Sequence, residues 1–185
     1  NEDRLYSFDY VQAPTDLSVS FDIAQDNNGT VSIFPNAEGA VRYRIKFGDQ
    51  EDENPTEYAN NEPIVHTYAE GVYEVQIEAL GITGLSSELA QEITVSFKAP
   101  ENLVIKVEND PVTSKQVNIS ATADYATVIE YLFGDESNGD PVTALPGEVV
   151  SHKYSNPGEY PITVVAKGAA IATLDTTFVF SVTEI

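Results

Sequence analysis

Cysteine, methionine and tryptophan are absent from this chain of 185 residues. Without cysteine there is no disulfide, no thiol nucleophile and no cysteine-based zinc site, so any stability comes from packing and hydrogen bonding. Basic residues are scarce: 9 lysines and arginines stand against 30 acids, a formal net charge of −21. A field of that sign repels phosphate backbones and anionic headgroups, which argues against nucleic acid as a partner and against membrane contact. No apolar run approaches the roughly 20 residues needed to span a bilayer as a helix. The missing initiator methionine leads us to expect a mature or trimmed chain that has lost a targeting segment, and with it the place for an anchor. What the chain does have is 42% hydrophobic residues, enough for packed cores at this length.

The sequence repeats itself. Ala13-Pro14 returns as Ala99-Pro100, Phe47-Gly48-Asp49 as Phe133-Gly134-Asp135, and His66 and Tyr68 as His152 and Tyr154, all at an offset of 86 residues. Beyond the histidines the offset becomes 87, because the turn before Tyr160 is one residue longer than the turn before Tyr73; surface turns tolerate such changes. We therefore expect an N-terminal extension over 1–13 and two homologous domains, 14–98 and 99–185. The joint Phe97-Lys98-Ala99-Pro100 should be extended and stiff, since proline fixes its own backbone and restricts the residue before it.

Within each copy the hydrophobic period is two. Val41, Tyr43, Ile45 and Phe47 alternate with Arg42, Arg44 and Lys46, and Tyr73, Val75, Ile77 and Ala79 alternate with Glu74, Gln76 and Glu78. That alternation marks strands with one buried and one wetted face. Turn signals such as Asn27-Asn28-Gly29, Asn138-Gly139 and Asn156-Pro157-Gly158 separate the runs, and no segment carries a helical period. About seven short strands per copy predict an all-β fold of two tandem sandwiches.

The words Phe47-Gly48-Asp49, His66-Thr67-Tyr68, Gly71 and Tyr73-Glu74-Val75, matched by Phe133-Gly134-Asp135, His152-Lys153-Tyr154, Gly158 and Tyr160-Pro161-Ile162, resemble the PKD domain. In that family's signature a strand ends in Trp-x-Phe-Gly-Asp-Gly and is followed by a variable loop, His-x-Tyr, a glycine turn and Tyr-x-Val. Two departures stand out: the tryptophan position holds Ile45 and Tyr131, and the last glycine is Gln50 and Glu136. The resemblance implies Ig-like β-sandwiches, an extracellular location and a non-catalytic role as spacer or binding module. The setting it implies is the N-terminal part of a Bacteroidota-type surface glycan-binding lipoprotein, on the bacterial outer membrane, with a further domain of the same polypeptide as partner. Direct polysaccharide binding by the pair is the alternative, and an accessory module of a secreted hydrolase a more distant one. A monomer is expected, and no cofactor other than calcium.

Calcium is the stronger chemistry for the loops that follow Phe-Gly-Asp. It takes six to eight oxygens, and Asp49, Glu51 and Asp52 in one copy and Asp135, Glu136 and Asp140 in the other supply carboxylates, though without the spacing of an EF-hand. A solvated acidic loop is the plainer reading on a chain this acidic. Carboxylate pairs for glycoside hydrolysis would need a cleft between them, which the pattern does not provide. The two histidines occupy equivalent positions, one per copy, and read as strand residues with satisfied rings. No nucleophile elbow or triad is present.

Arg42, Arg44 and Lys46 gather three of the nine basic residues on one strand face. Outward glutamates on neighbouring strands, Glu74 and Glu78 first, should pair with them. In the second copy the same positions become Val128, Glu130 and Leu132, opposite Pro161, Thr163 and Val165. We expect Val128, Leu132, Pro161 and Val165 to form an apolar contact patch. Glycan binding normally uses exposed aromatic platforms, and Tyr58, Tyr125 and Tyr131 are the tyrosines left over for that role.

Overall fold

A computed structural model describes residues 12–135 and 140–185. Glu136, Asn138, Gly139 and all but the last two residues of the expected 1–13 extension lie outside the described residues. Among the described residues there are no helices. The first copy contributes β1 (Thr15–Ile23), β2 (Thr30–Glu38), β3 (Ala40–Lys46), β4 (Thr56–Ala59), β5 (Ile64–Thr67), β6 (Gly71–Gly81) and β7 (Ser86–Val95). The second contributes β8 (Glu101–Asn109), β9 (Gln116–Asp124), β10 (Val128–Leu132), β11 (Val142–Ala144), β12 (Val150–Lys153), β13 (Gly158–Lys167) and β14 (Leu174–Val182).

Sheet order repeats as faithfully as sequence. A three-stranded sheet β1-β2-β5 and a four-stranded sheet β4-β3-β6-β7 make the first sandwich, and β12-β9-β8 with β11-β10-β13-β14 the second. Pairing within the four-stranded sheets is antiparallel, with Ile45 opposite Ile77 in one copy and Tyr131 opposite Val164 in the other. The inward positions meet in a core; in the second copy Val117, Ile119 and Ala121 from one sheet face Ile129, Tyr131, Ile162, Val164 and Ala166 from the other. Tyr43 and Ile45 of the first core become Ile129 and Tyr131 in the second, and all four are buried. The large ring and the branched chain exchange neighbouring places, a swap that conserves total volume and is therefore tolerated.

Backbone geometry follows the same offset. Left-handed residues recur as Asp16 and Asn102 (φ 53° and 55°), Gly29 and Lys115 (72° and 62°), Gly39 and Tyr125 (78° and 62°), Gly48 and Gly134 (79° and 70°), and Asn61 and Gly147 (68° and 84°). Glycine, asparagine and aspartate dominate because this region is costly for other residues. The matching also extends to side-chain caps: Glu62 accepts the Ala59 N–H at 2.9 Å, and Glu148 accepts the Leu145 N–H at 2.9 Å.

By contacts the chain forms two compact units. Among the described residues the first comprises 12–19, 34–64 and 73–92, and the second comprises 20–33, 65–72, 93–135 and 140–185. The repeat boundary at 98/99 falls inside the second unit, where the joint is stitched by hydrogen bonds. The Thr127 hydroxyl donates to the Thr94 carbonyl at 2.5 Å, and the Asn27 N–H donates to the Ala169 carbonyl at 2.8 Å. Glu70 accepts the Phe97 N–H at 2.7 Å and Lys98 lies 4.9 Å from the Tyr125 ring centroid. Thr127, Ala169, Ala170 and Ser96 are all buried there.

Candidate functional site

Strand β3 ends at Lys46, and the chain turns at Gly48 because two constraints meet there. Its φ is +79°, and a Cβ would stand 2.3 Å from the Glu74 carbonyl oxygen. Gly134 repeats both: φ is +70° and a Cβ would stand 2.3 Å from the Pro161 carbonyl oxygen. No side chain can occupy either place without moving the adjacent strand. Phe-Gly-Asp is thus a strand end pressed against the next strand's backbone.

The loop after it is partly closed by its own acid. Glu53 places both carboxylate oxygens on the backbone, accepting from Phe47 N–H at 2.8 Å and Gly48 N–H at 2.9 Å. Asp49, Glu51 and Asp52 are exposed around this closure. In the second copy Asp135 is half-buried and bonded to His152 Nε2 at 2.8 Å, Asp140 is exposed, and Glu136 lies outside the described residues. Among the described residues no three histidine or carboxylate side chains come together in a way that would hold a metal ion. Sequence pattern does not reveal the jobs taken by Glu53 and Asp135, because it shows that carboxylates are near a turn but not which groups need an acceptor.

Both histidines are packed as rings. His152 stacks on Phe133 with centroids 4.1 Å apart and meets Tyr154 edge-on at 4.6 Å; His66 meets Tyr68 edge-on at the same 4.6 Å. Tyr154 is buried and donates its hydroxyl to the Phe133 carbonyl at 2.9 Å. Burial pushes the Tyr154 phenol up, with the Asp135 carboxylate adding to the shift, so the hydroxyl stays a donor at all ordinary pH. Tyr131 is fully buried and its phenol is pushed up to about 12 by desolvation, which removes it from the glycan-contact candidates. Tyr125 is half-buried beneath Lys98, and Tyr58 is half-buried on β4.

The outer face of the β4-β3-β6-β7 sheet is where polar side chains converge. Arg42 pairs with Glu57 at 3.0 Å, and Arg44 bridges Glu57 at 3.1 Å and Glu78 at 3.4 Å. The Glu57 carboxyl is held below its ordinary range by hydrogen bonds from Arg42 and then Arg44. Glu78 is a partner that the alternation predicts; Glu57 is not, because it lies on a four-residue strand too short to show a period. Glu74, also expected to pair, instead accepts from Gln76 at 3.2 Å. A trough of about 390 Å³ runs over this face between Arg44, Gln76, Glu78 and Glu88, edged by the exposed Pro55 and Ala90. A second depression of about 290 Å³ shares Lys46 and Gln76 with it and continues past Gly48 to Asp52 and Glu53.

The corresponding face of the second copy corrects the expected apolar patch. Val128 is only 2% exposed and so is not available to a partner. Glu130, between Val128 and Leu132, is ion-paired with Lys167, which breaks the apolar surface; Leu132 and Pro161 are exposed and Val165 is half-buried. Lys167 reaches Glu130 diagonally across the β10–β13 pair, a contact that a comparison of directly opposite positions overlooks.

Comparison with known proteins gives one family match: the sequence profile of the PKD domain matches residues 99–180, the second copy. No curated protein sequence matches the chain. Among solved structures, a segment of two fibronectin type III domains from chicken tenascin is similar at 15% identity and a TM-score of 0.33, over 92% of this chain and 99% of that one. Fibronectin(III)-like modules of Clostridium thermocellum CbhA are similar at 14% identity and 0.33, over 90% and 94%. A β-glycosidase from Bacteroides vulgatus is similar at 11% identity and 0.34, over 94% of this chain and 25% of that one. Likeness at that level does not reach to function.

Proposed function

We propose that this chain is a non-catalytic, rigid spacer of an extracellular glycan-binding protein. Residues 14–98 and 99–185 form its two modules, and they hold a sugar-binding domain of the same polypeptide away from a bacterial outer-membrane surface. The observation that carries the reading is the stitched joint. A linker meant to swivel would leave its backbone groups to water, whereas here the buried Thr127 hydroxyl, the Asn27 amide and the Glu70 carboxylate are all engaged around it. The PKD match supports the reading, as does the commitment of His152 and Asp135 to one another beside a packed ring cluster. Backbone ¹⁵N relaxation of the whole chain tests it. Both modules should report one common tumbling tensor, and Thr127→Val should begin to separate them; two independent tensors in the unaltered chain would refute the rigid spacer.

A further inference from the structure

The trough on the outer face of the β4-β3-β6-β7 sheet is not required by the fold. The second copy builds the same strands and the same close approaches with Leu132, Thr163 and Val165 where the first has Lys46, Gln76 and Glu78. One duplicated scaffold therefore serves as an internal control: the backbone is shared and the polar trough belongs to the first copy's side chains. Lys46 stands where the two depressions meet. It is half-buried, and among the described residues its ammonium makes neither ion pair nor hydrogen bond, although the chain carries 30 acids. An ammonium has three donors to place.

We propose that this trough binds a neutral glycan chain, with Lys46 and Gln76 as its central contacts. Donors and acceptors share it: Lys46 donates, Gln76 keeps its carbonyl oxygen and the N–H that Glu74 does not take, Arg44 keeps the N–H groups that Glu57 and Glu78 do not take, and Glu78 and Glu88 accept. A sugar hydroxyl both donates and accepts, so a polyol satisfies both kinds of group at once. Pro55 and Ala90, both exposed at its edge, offer apolar surface for ring C–H faces. An anionic polymer would meet more carboxylates than cations here and a chain of net charge −21, and a peptide would look for apolar anchor pockets that this face lacks. At about 390 Å³ the larger depression falls within the roughly 300 to 1,000 Å³ usual for ligand sites. The inference rests on the glycan setting proposed above but not on the joint.

Native gels of the 185-residue chain cast with galactomannan, xyloglucan or starch, and with polygalacturonate as the acidic counterpart, test the site. At least one neutral polymer should retard the protein and polygalacturonate should not. Titration calorimetry with that polymer should then weaken by about tenfold or more for the Lys46→Ala/Gln76→Ala double variant, a loss of roughly 1.4 kcal/mol. Circular dichroism and the melting temperature of the double variant should match the unaltered chain. No retardation by any neutral polymer overturns the proposal, as does retention of binding by the double variant or retardation by polygalacturonate alone. None of these outcomes alters the relaxation test of the joint, so the two readings fail separately.

Discussion

Tyr154 donates its buried hydroxyl to the carbonyl of Phe133 at 2.9 Å, tying the residue after β12 to the end of β10 across the second core. Tyr131, equally buried, has among the described residues no partner of hydrogen-bond geometry for its hydroxyl, though the Ala121 backbone approaches it. Two phenols in one core thus have opposite worth. Tyr154→Phe should lower stability by about 0.5 to 1.5 kcal/mol, the net value of such a bond, and Tyr131→Phe should leave it unchanged or raise it. Urea unfolding of both variants decides the matter, and equal losses would contradict the assignment.

Gly48 and Gly134 should be intolerant of any side chain. Alanine at either meets a left-handed backbone and a carbonyl oxygen at 2.3 Å, and should cost more than the roughly 1 kcal/mol of the dihedral alone. Gly84 is the control: its φ is +84°, but nothing lies within 4 Å of the place a Cβ would take, so Gly84→Ala should cost only the dihedral contribution. Melting temperatures that fall equally for all three would mean that close approach to the next strand is unimportant.

Asp110 ties the β8–β9 turn through four acceptances. Its carboxylate takes the Val112 and Thr113 N–H groups at 2.9 and 2.7 Å and the Asn118 and Gln116 amides at 2.8 and 3.3 Å. The Asn118 bond first, then the two backbone bonds, lower its pKa from 3.8 to about 2. A depressed carboxyl stabilises the fold fully above its unfolded pKa and loses that contribution as pH falls through the folded one. The stability advantage of the natural chain over Asp110→Asn should therefore be constant above about pH 4 and shrink between pH 4 and 2. Thermal melts across that window should record the convergence, and a constant gap would contradict it.

Much of the fold was legible because it was written twice. The offset between Phe47 and Phe133 located equivalent strands, and the alternation through Tyr43 and Ile45 assigned their inner face, since period-two burial follows directly from pleated geometry. The partners on the outer face were less legible. Arg44 found Glu78 where antiparallel pairing put it but also Glu57 on a strand of four residues, and Glu130 found Lys167 along a diagonal. Burial of Val128 was hidden for another reason: alternation assigns a residue to a face, and residues distant in sequence decide whether that face stays open. The trough at Lys46 needed side-chain conformations that no spacing encodes.

The left-handed residues of the two copies agree in position but not always in identity: lysine stands where the first copy has Gly29, and tyrosine where it has Gly39. The path of the chain has thus outlasted the residues that most easily permit it. A scaffold of that kind accepts transplants. Moving the Lys46, Gln76 and Glu78 face onto the positions of Leu132, Thr163 and Val165 would leave every bend where it is, and would turn a molecule with one decorated wall into one with two.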